Sequence, residues 1–457
     1  MPLLQLPRRW MVTVTVQQHE YDVAIIGSGI GGLAAGALLS NAGYRVFVAE
    51  KMPFFGGRCA TLDFQGYKID TGVSLVVDEL HGALCREVGV DFEFRAVDPL
   101  LVCHLKGKDY PFNTADGMVA LINAASRDDA EAGRVLQALM NAVMWAEPSS
   151  SMSFLDWITH YTDNPDLLAV FQCLVTSIFG LRLSEVPAGA YFRMIAVTEE
   201  AGLKTSGFPL HGGGAVSDAL VKAIRARGSE VRRQCAAVRI DVDDGRAVGA
   251  LVRRHNGQEW MIRAQAVISN AGPRQTVELV GEDHLSAGYV SEVESIKPVP
   301  IIRIVAASDE PLMEGSSVRL LTEARRLLLV WTPSNGNPHI APEGKHMLAG
   351  FAFPASAAPP FDFQDDIELC LQDLRSFIPG FDERAEVLRI DTFHGDWPEY
   401  GTHLGRGLPL KTPIEGLYLV GDTTAPIGWF GSPASITSAR LVAADVMERY
   451  QPNPVPS

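Results

Sequence analysis

A glycine-rich turn near the N-terminus has the residue types and the spacing that bind the pyrophosphate of a dinucleotide. Its residues are Gly27, Ser28, Gly29, Ile30, Gly31 and Gly32. In this pattern Gly27 permits a tight turn, Gly29 lets a pyrophosphate approach the backbone, and Gly32 lets a helix pack against a strand. Glu50 follows after about 20 residues, where a carboxylate accepts hydrogen bonds from ribose hydroxyls and repels a 2′-phosphate.

Three predicted elements hold this turn in place. Residues 21–26 read Tyr-Asp-Val-Ala-Ile-Ile, which is typical of a strand that is covered on both faces. Residues 33–39 are small or aliphatic and predict a helix, and residues 44–49 predict a second strand. This βαβ order places the phosphate at a helix N-terminus, where unpaired N–H groups and the helix dipole favour negative charge.

A second glycine segment favours FAD over NAD. Gly56, Gly57 and Arg58 can lay backbone N–H groups and one guanidinium along a pyrophosphate. An Asp-Thr-Gly segment that ends at Gly72 follows them. The alternative interpretation is a plain hairpin turn with a surface arginine.

A strand, a Gly-Asp pair and a helix recur near the C-terminus, which suits a cofactor with two ends. Residues 416–420 predict a buried strand that ends at Gly421 and Asp422, and a helix follows with Ser432 as its N-cap and Pro433 as its first residue. Asp422 can accept hydrogen bonds from the ribityl hydroxyls. The helix N-terminus from Ser432 onward faces the N1/O2 edge of the flavin, where it stabilises the negative charge of a reduced flavin.

These motifs together resemble the flavin-dependent amine oxidoreductase superfamily, and within it the phytoene desaturase and carotenoid isomerase-like branch. Two middle segments support that branch, namely the glycine turn and helix of residues 209–220 and the returning strand of residues 266–273. The resemblance implies an α/β fold, with a Rossmann-type FAD-binding domain built on a glutathione reductase-like sheet and a discontinuous α+β substrate-binding domain. It implies non-covalent FAD that is contacted by the residues named above and by Lys51, Val73, Ser74, Ala434 and the backbone of Val238.

The expected domains interleave along the chain. Residues 19–98, 206–288 and 391–450 form the FAD-binding domain, and residues 99–205 and 289–390 form the substrate domain. In the latter, residues 121–145, 167–179 and 367–377 predict helices, and residues 301–306, 327–331 and 347–353 predict strands. Ordinary core packing is the favoured role for most of its large apolar residues, with an apolar substrate channel as the alternative: Met140, Met144, Trp145, Met152, Trp157, Phe171, Phe179, Tyr191, Phe192 and Met194.

The candidate catalytic groups lie in residues 393–406, which precede the C-terminal cofactor strand and concentrate polar and aromatic side chains. His403 and Tyr400 are the favoured substrate-facing residues, and the alternative for His403 is a merely solvated loop histidine. Trp397, Trp429 and Phe430 are the candidate substrate contacts, and the last two form an aromatic wall near the ring.

Composition excludes several other classes of protein. The 457 residues are 47% hydrophobic and carry a net charge of −15, so an intrinsically disordered chain and a nucleic-acid partner are both disfavoured. The six cysteines are scattered without a CxxC pair, which disfavours a zinc site and a disulfide framework. No apolar run reaches the roughly 20 residues of a membrane span. We expect a cytoplasmic protein, with a peripheral membrane contact left open.

The favoured function is an FAD-dependent desaturase that moves a hydride from a carbon–carbon bond of an apolar substrate, carotenoid-like, isoprenoid-like or alicyclic, to the flavin. A flavin amine oxidase and a redox-neutral flavin isomerase are the alternatives. The Gly-Asp segment lacks a cysteine that could tether FAD, and no paired-aromatic amine cage is identified, which favours desaturation over amine oxidation. A non-catalytic lipid-binding scaffold is disfavoured because the FAD motifs are intact. The electron acceptor and the oligomeric state stay open.

Overall fold

The computed structural model describes residues 17–72, 75–144, 152–356, 359–395, 400–402 and 407–453. The strands in chain order are β1 (Gln17–Glu20), β2 (Val23–Ile26), β3 (Val46–Ala49), β4 (Thr61–Phe64), β5 (Tyr67–Asp70), β6 (Val76–Val77), β7 (Phe94–Ala96), β8 (Leu101–Leu105), β9 (Lys108–Pro111), β10 (Ser206–Pro209), β11 (Glu230–Arg232), β12 (Cys235–Asp243), β13 (Arg246–Arg254), β14 (Glu259–Arg263), β15 (Ala266–Ser269), β16 (Lys297–Val299), β17 (Ile301–Ser308), β18 (Val318–Leu321), β19 (Leu327–Trp331), β20 (His346–Ala352), β21 (Ala385–Phe393), β22 (Tyr400–Thr402) and β23 (Leu417–Leu419).

The helices alternate with these strands along much of the chain. They are α1 (Ile30–Asn41), α2 (Ala83–Glu87), α3 (Ala115–Ala125), α4 (Asp129–Met144), α5 (Phe154–Thr159), α6 (Pro165–Phe179), α7 (Ala188–Glu200), α8 (Gly214–Ala226), α9 (Pro273–Val280), α10 (Ala287–Glu294), α11 (Phe363–Phe377), α12 (Phe381–Arg384) and α13 (Gly431–Arg449). A single π-helical turn, Asp78–Gly82, precedes α2.

A five-stranded parallel sheet forms the first core, in the order β11-β3-β2-β15-β23. Every residue of β2 is buried, because Val23 and Ile25 pack under α1, α8 and α13 while Ala24 and Ile26 pack against the sheet of β12, β13 and β14. Both faces are therefore covered, as the apolar run in the sequence predicts. The predicted βαβ order is present as β2, α1 and β3.

A seven-stranded, mostly antiparallel sheet forms the second core, in the order β21-β17-β20-β19-β18-β8-β9. One face packs against α11 and the other against the helices α3 to α7. The three predicted strands and the helix ending at Phe377 are present as β17, β19, β20 and α11. The helical stretch predicted over residues 121–145 is present as two helices, because α3 ends at Ala125 and α4 begins at Asp129. Trp145 lies outside the described residues.

A buried carboxylate connects the helices of this second core. Glu131 of α4 is 3% exposed and accepts hydrogen bonds from the Arg127 N–H, the Thr162 hydroxyl and the Asn164 amide at 2.7, 2.7 and 2.9 Å. Burial raises the pKa of the Glu131 carboxyl, but these hydrogen bonds outweigh burial and lower the pKa to about 2. The side chain is therefore charged at neutral pH.

A buried arginine joins the seven-stranded sheet to the end of β5. Arg303 of β17 is 2% exposed, and its guanidinium donates to Asp391 of β21 from Nη2 at 2.6 Å and from Nε at 3.2 Å. The same guanidinium donates from Nη1 to the backbone carbonyl of Asp70, at the end of β5. The contact ties the second sheet to the segment that leads to Gly72.

None of the helices in the described ranges combines the length and the apolar character that crossing a bilayer requires. The six cysteines are free thiols, five of them buried and Cys59 half-buried. Within the same ranges no three histidine, cysteine or carboxylate side chains group as metal ligands. The predicted domain boundaries stay predictions.

Candidate functional site

The glycine turn between β2 and α1 packs directly against Asn270, the residue that follows β15. A Cβ added to Gly27 would lie 2.9 Å from the Asn270 carbonyl oxygen, and one on Gly29 would lie 2.5 Å from Asn270 Oδ1. A Cβ on Gly32 would lie 2.3 Å from the carbonyl oxygen of Gly27. Gly27 also has a φ of +92°, which side chains rarely adopt. The surrounding protein therefore leaves no room for a side chain at Gly27, Gly29 or Gly32.

Asn270 connects this turn to the C-terminal Gly-Asp pair, and it was not predicted as a site residue. Its Nδ2 donates to the Val420 carbonyl oxygen at 2.9 Å and would lie 3.1 Å from a Cβ on Gly31. Its Oδ1 is buried and has no hydrogen-bond partner in the described protein. The asparagine lies within residues 266–273, so its position directly after a strand was the signal that the sequence offered.

Glu50, directly after β3, holds the glycine turn from the other side. Its Oε2 accepts from the Ser28 N–H at 2.8 Å and from the Ser28 hydroxyl at 2.7 Å, and its Oε1 accepts from the Met52 N–H at 2.7 Å. The side chain is buried, whereas the neighbouring Lys51 is exposed. The carboxylate therefore lies at the end of β3 and orients Ser28 in the glycine turn.

Arg58 and Asp422 meet although they are far apart in the sequence. The guanidinium forms a bidentate pair with the carboxylate, at 2.9 Å from Nη1 and 2.8 Å from Nη2. A Cβ on Gly72 would lie 2.5 Å from the Arg58 carbonyl oxygen, and Gly57 has a φ of +57°. Arg58 is thus held in an ion pair with Asp422, unlike the surface arginine of the alternative interpretation.

The start of α13 differs from the prediction. The helix begins at Gly431 with Phe430 as its N-cap, so Ser432 is not the N-cap and Pro433 is not the first helical residue. Phe430 has the extended conformation of a cap residue, and its carbonyl accepts from the Ala434 N–H at 3.2 Å. Ala434 is fully buried in the first turn.

The Ser432 hydroxyl instead contacts a buried histidine that was not predicted. His81 lies in the π-helical turn, is 2% exposed, and places Nε2 2.9 Å from Ser432 Oγ. Burial lowers the pKa of His81 to about 4. Nothing local marks this histidine in the sequence, because its partner lies near the other end of the chain.

The remaining predicted residues are only partly placed. Val238 is half-buried in β12, at the bulge between Ala237 and Arg239 that interrupts the pairing with β13. Tyr400 lies in β22 opposite Val299 of β16. Trp429 is half-buried. Val73, Ser74, Trp397 and His403 lie outside the described residues.

The residues present fit a dinucleotide. Bare backbone lines the turn at Gly29, and beside it lies Asn270 Oδ1, which has no hydrogen-bond partner in the described residues. The N-termini of α1 and α13 converge on the same edge of the sheet. The helix ends supply unpaired N–H donors for phosphate oxygens. Arg58 adds a positively charged side chain to these groups.

A family model described as flavin containing amine oxidoreductase matches residues 30–447. The chain belongs to this family. The predicted resemblance and fold class are therefore confirmed, and the chain is an oxidoreductase of the flavin amine oxidoreductase family.

Several of the similar proteins are named as carotenoid or retinoid enzymes. The chain is 24% identical to an uncharacterized protein of Methanocaldococcus jannaschii, over 88% of this chain and 93% of that one. It is 35% identical to a 1-hydroxycarotenoid 3,4-desaturase of Flavobacterium over 30% of this chain and 28% of that one. It is 25% identical to the all-trans-retinol 13,14-reductase of Macaca fascicularis over 61% of this chain and 52% of that one. The chain thus spans about half or less of the latter two relatives.

Among solved structures, an oxidoreductase from Methanosarcina mazei matches with a TM-score of 0.81. The two chains are 26% identical, and the match covers 94% of this flavin amine oxidoreductase and 100% of the other protein.

Proposed function

We propose that this flavin amine oxidoreductase holds FAD non-covalently and removes hydrogen from a carbon–carbon bond of an apolar substrate, carotenoid-like, isoprenoid-like or alicyclic. When bound, FAD supplies the hydride acceptor. The protein residues then have three tasks, which are binding the cofactor, orienting the substrate and excluding water.

The cofactor residues are those brought together at the edge of the parallel sheet. The glycine turn and the α1 N-terminus receive phosphate oxygens, and Arg58 donates to the same group once Asp422 has fixed its direction. Glu50 offers carboxylate oxygens to the ribose hydroxyls at the end of β3.

The observation that carries the substrate class is the apolar surface beside the start of α13. Phe430 caps this helix at the cofactor site and packs against the apolar core of α3 to α7. Half-buried Phe179, Ile301 and Phe353 pack against the same core. Such a surface desolvates an apolar molecule favourably, and these four side chains carry no carboxylate that could pair with an ammonium group.

The predicted lining residues divide into two groups. Trp157, Phe171, Tyr191, Phe192 and Met194 are buried members of the core itself, which supports packing as their role, and Phe179 is half-buried against it. Met140, Met144 and Met152 are exposed. We therefore propose that Phe179 and Phe430, together with Trp429, contact substrate, and that His403 and Tyr400 approach it from the segment around β22.

The names of the relatives support carbon–carbon chemistry over amine oxidation. The Flavobacterium relative is named a carotenoid desaturase and the Macaca relative a retinol reductase, which act in opposite directions on carbon–carbon bonds. We propose desaturation for this chain, and the lack of a cysteine tether or an identified amine cage in its sequence disfavours an amine substrate.

Two measurements test the proposal. Purified protein should carry the visible absorption of oxidised flavin, which acid should release into solution because the binding is non-covalent. A colourless protein that also fails to bind added FAD would contradict the cofactor assignment.

The second measurement separates the candidate reactions. Under anaerobic conditions an isoprenoid polyene in detergent should bleach the flavin and lose two hydrogen atoms by mass spectrometry, whereas a long-chain primary amine should leave the spectrum unchanged. Bleaching by the amine, with peroxide formed on admitting oxygen, would establish an amine oxidase instead. A substrate of unchanged mass that is converted only after flavin reduction would establish an isomerase. A Gly29→Val variant without flavin is the control.

A further inference from the structure

A buried imidazole connects strand β6 to the first turn of α13. His81 projects from the π-helical turn Asp78–Gly82, and such local distortions occur frequently at functional sites. The Val77 N–H donates to His81 Nδ1 at 3.1 Å, and His81 Nε2 lies 2.9 Å from Ser432 Oγ. Both nitrogens of the ring are therefore engaged.

The backbone donor among these contacts assigns the tautomer of the ring. The amide hydrogen of Val77 is permanent, so His81 Nδ1 accepts it and carries no proton, although the Val77 carbonyl oxygen lies 3.2 Å from the same nitrogen. The ring is neutral because burial lowers its pKa. The one ring proton is then on Nε2, which donates to Ser432 Oγ.

The Ser432 hydroxyl must therefore direct its own hydrogen elsewhere. Later hydroxyls of α13 donate back to helix carbonyls, Ser435 to Gly431 and Thr437 to Pro433. Ser432 has no such partner in the described part of the chain, because the residue four positions earlier, Gly428, precedes the helix. Its donor is free for a ligand.

The surroundings of Ser432 indicate which part of a ligand it meets. One turn further on, the Ser435 carbonyl would lie 3.4 Å from a Cβ on Gly31, so the helix start abuts the cofactor turn. Two residues earlier, Phe430 packs against the apolar core. Ser432 thus lies where the cofactor edge meets the apolar surface, and a ring that exchanges hydride with an apolar substrate must occupy that junction.

We propose that His81 is a positioning residue for the flavin, which fixes Ser432 so that its hydroxyl donates to an acceptor atom of the flavin ring. The inference rests on the flavin cofactor of the proposed function and requires no particular substrate. Because the ring gains electrons on reduction, a donor aimed at it stabilises the reduced form more than the oxidised form.

The midpoint potential of the bound flavin tests this, measured by anaerobic reduction with a reference dye. Ser432→Ala should lower the potential by about 30 mV, which is a tenfold change for a two-electron couple. His81→Phe should lower it by a similar amount, and the double variant should equal Ser432→Ala, because the histidine acts through the serine. His81→Gln, whose amide retains a donor, should restore most of the potential.

Thr437→Ala is the matched control, since its hydroxyl bonds a carbonyl of the same helix, and its potential should equal that of the parent protein. An unchanged potential in flavin-loaded Ser432→Ala would overturn the proposal. So would additive losses in the double variant, which would assign His81 a separate packing role. Failure of the parent protein to bind flavin would instead refute the proposed function.

Discussion

Replacing Gly29 by alanine should destabilise the protein even when no cofactor is present. The added Cβ would lie 2.5 Å from Asn270 Oδ1, whereas ordinary contacts begin near 3.4 Å, so the asparagine must withdraw by about 0.9 Å. Withdrawal breaks its hydrogen bond to the Val420 carbonyl, which costs about 1 kcal/mol. Overpacking a rigid region costs about 1–3 kcal/mol more. We therefore expect the free energy of unfolding to fall by about 2–4 kcal/mol.

The assay is urea unfolding of the FAD-free protein, in a cycle with Asn270→Ala. Without the asparagine the methyl group has room, so Gly29→Ala should cost less than about 1 kcal/mol in that background. Gly133→Ala is the control, since it is an exposed helical glycine with no atom within 4 Å of the added Cβ, and it should be neutral or slightly stabilising. An equal loss in both backgrounds, or no loss in the single variant, would refute the reasoning.

Three further perturbations have defined outcomes. Arg303→Met should lower the free energy of unfolding by about 1.5–3 kcal/mol in urea melts, because Asp391 loses its buried partner and keeps only its pair with the more exposed Arg389. Glu131→Gln should be most destabilising above about pH 4.3, where the parent carboxylate is charged in both states, and the difference in urea midpoint should shrink as the pH falls towards 2. Asp422→Asn should weaken FAD binding about tenfold in a fluorescence titration, because the Arg58 guanidinium loses its bidentate partner and its fixed direction.

The parts of the fold that depend on neighbouring residues could be predicted from the sequence. The βαβ unit around the glycine turn rests on apolar runs, a helix stop and glycine spacing, all within residues 21–50. The strands β17, β19 and β20 follow from short apolar runs for the same reason. Their order in the seven-stranded sheet could not be predicted, since β8 pairs with β18, which comes from a distant part of the chain.

The residues that were missed depend on distant partners. His81 is an ordinary histidine until Ser432 folds against it, and Arg303 reads as a charged interruption in an apolar strand until Asp391 neutralises it. The helix start at Gly431 was misplaced because the sequence of Ser432 and Pro433 imitates a cap. The Ser432 hydroxyl instead contacts His81, so a tertiary contact overrides the local capping preference.

The parallel sheet is assembled from four separate stretches of the chain, and this has a consequence for synthesis. While the chain emerges from the ribosome, β15 has a partner in β2 on one side but an open edge on the other until β23 is made. Asp422 and the N-terminus of α13 also arrive only then. Flavin loading must therefore follow synthesis of this last segment, and a chain stalled before it presents an unpaired apolar strand edge to chaperones and to other chains.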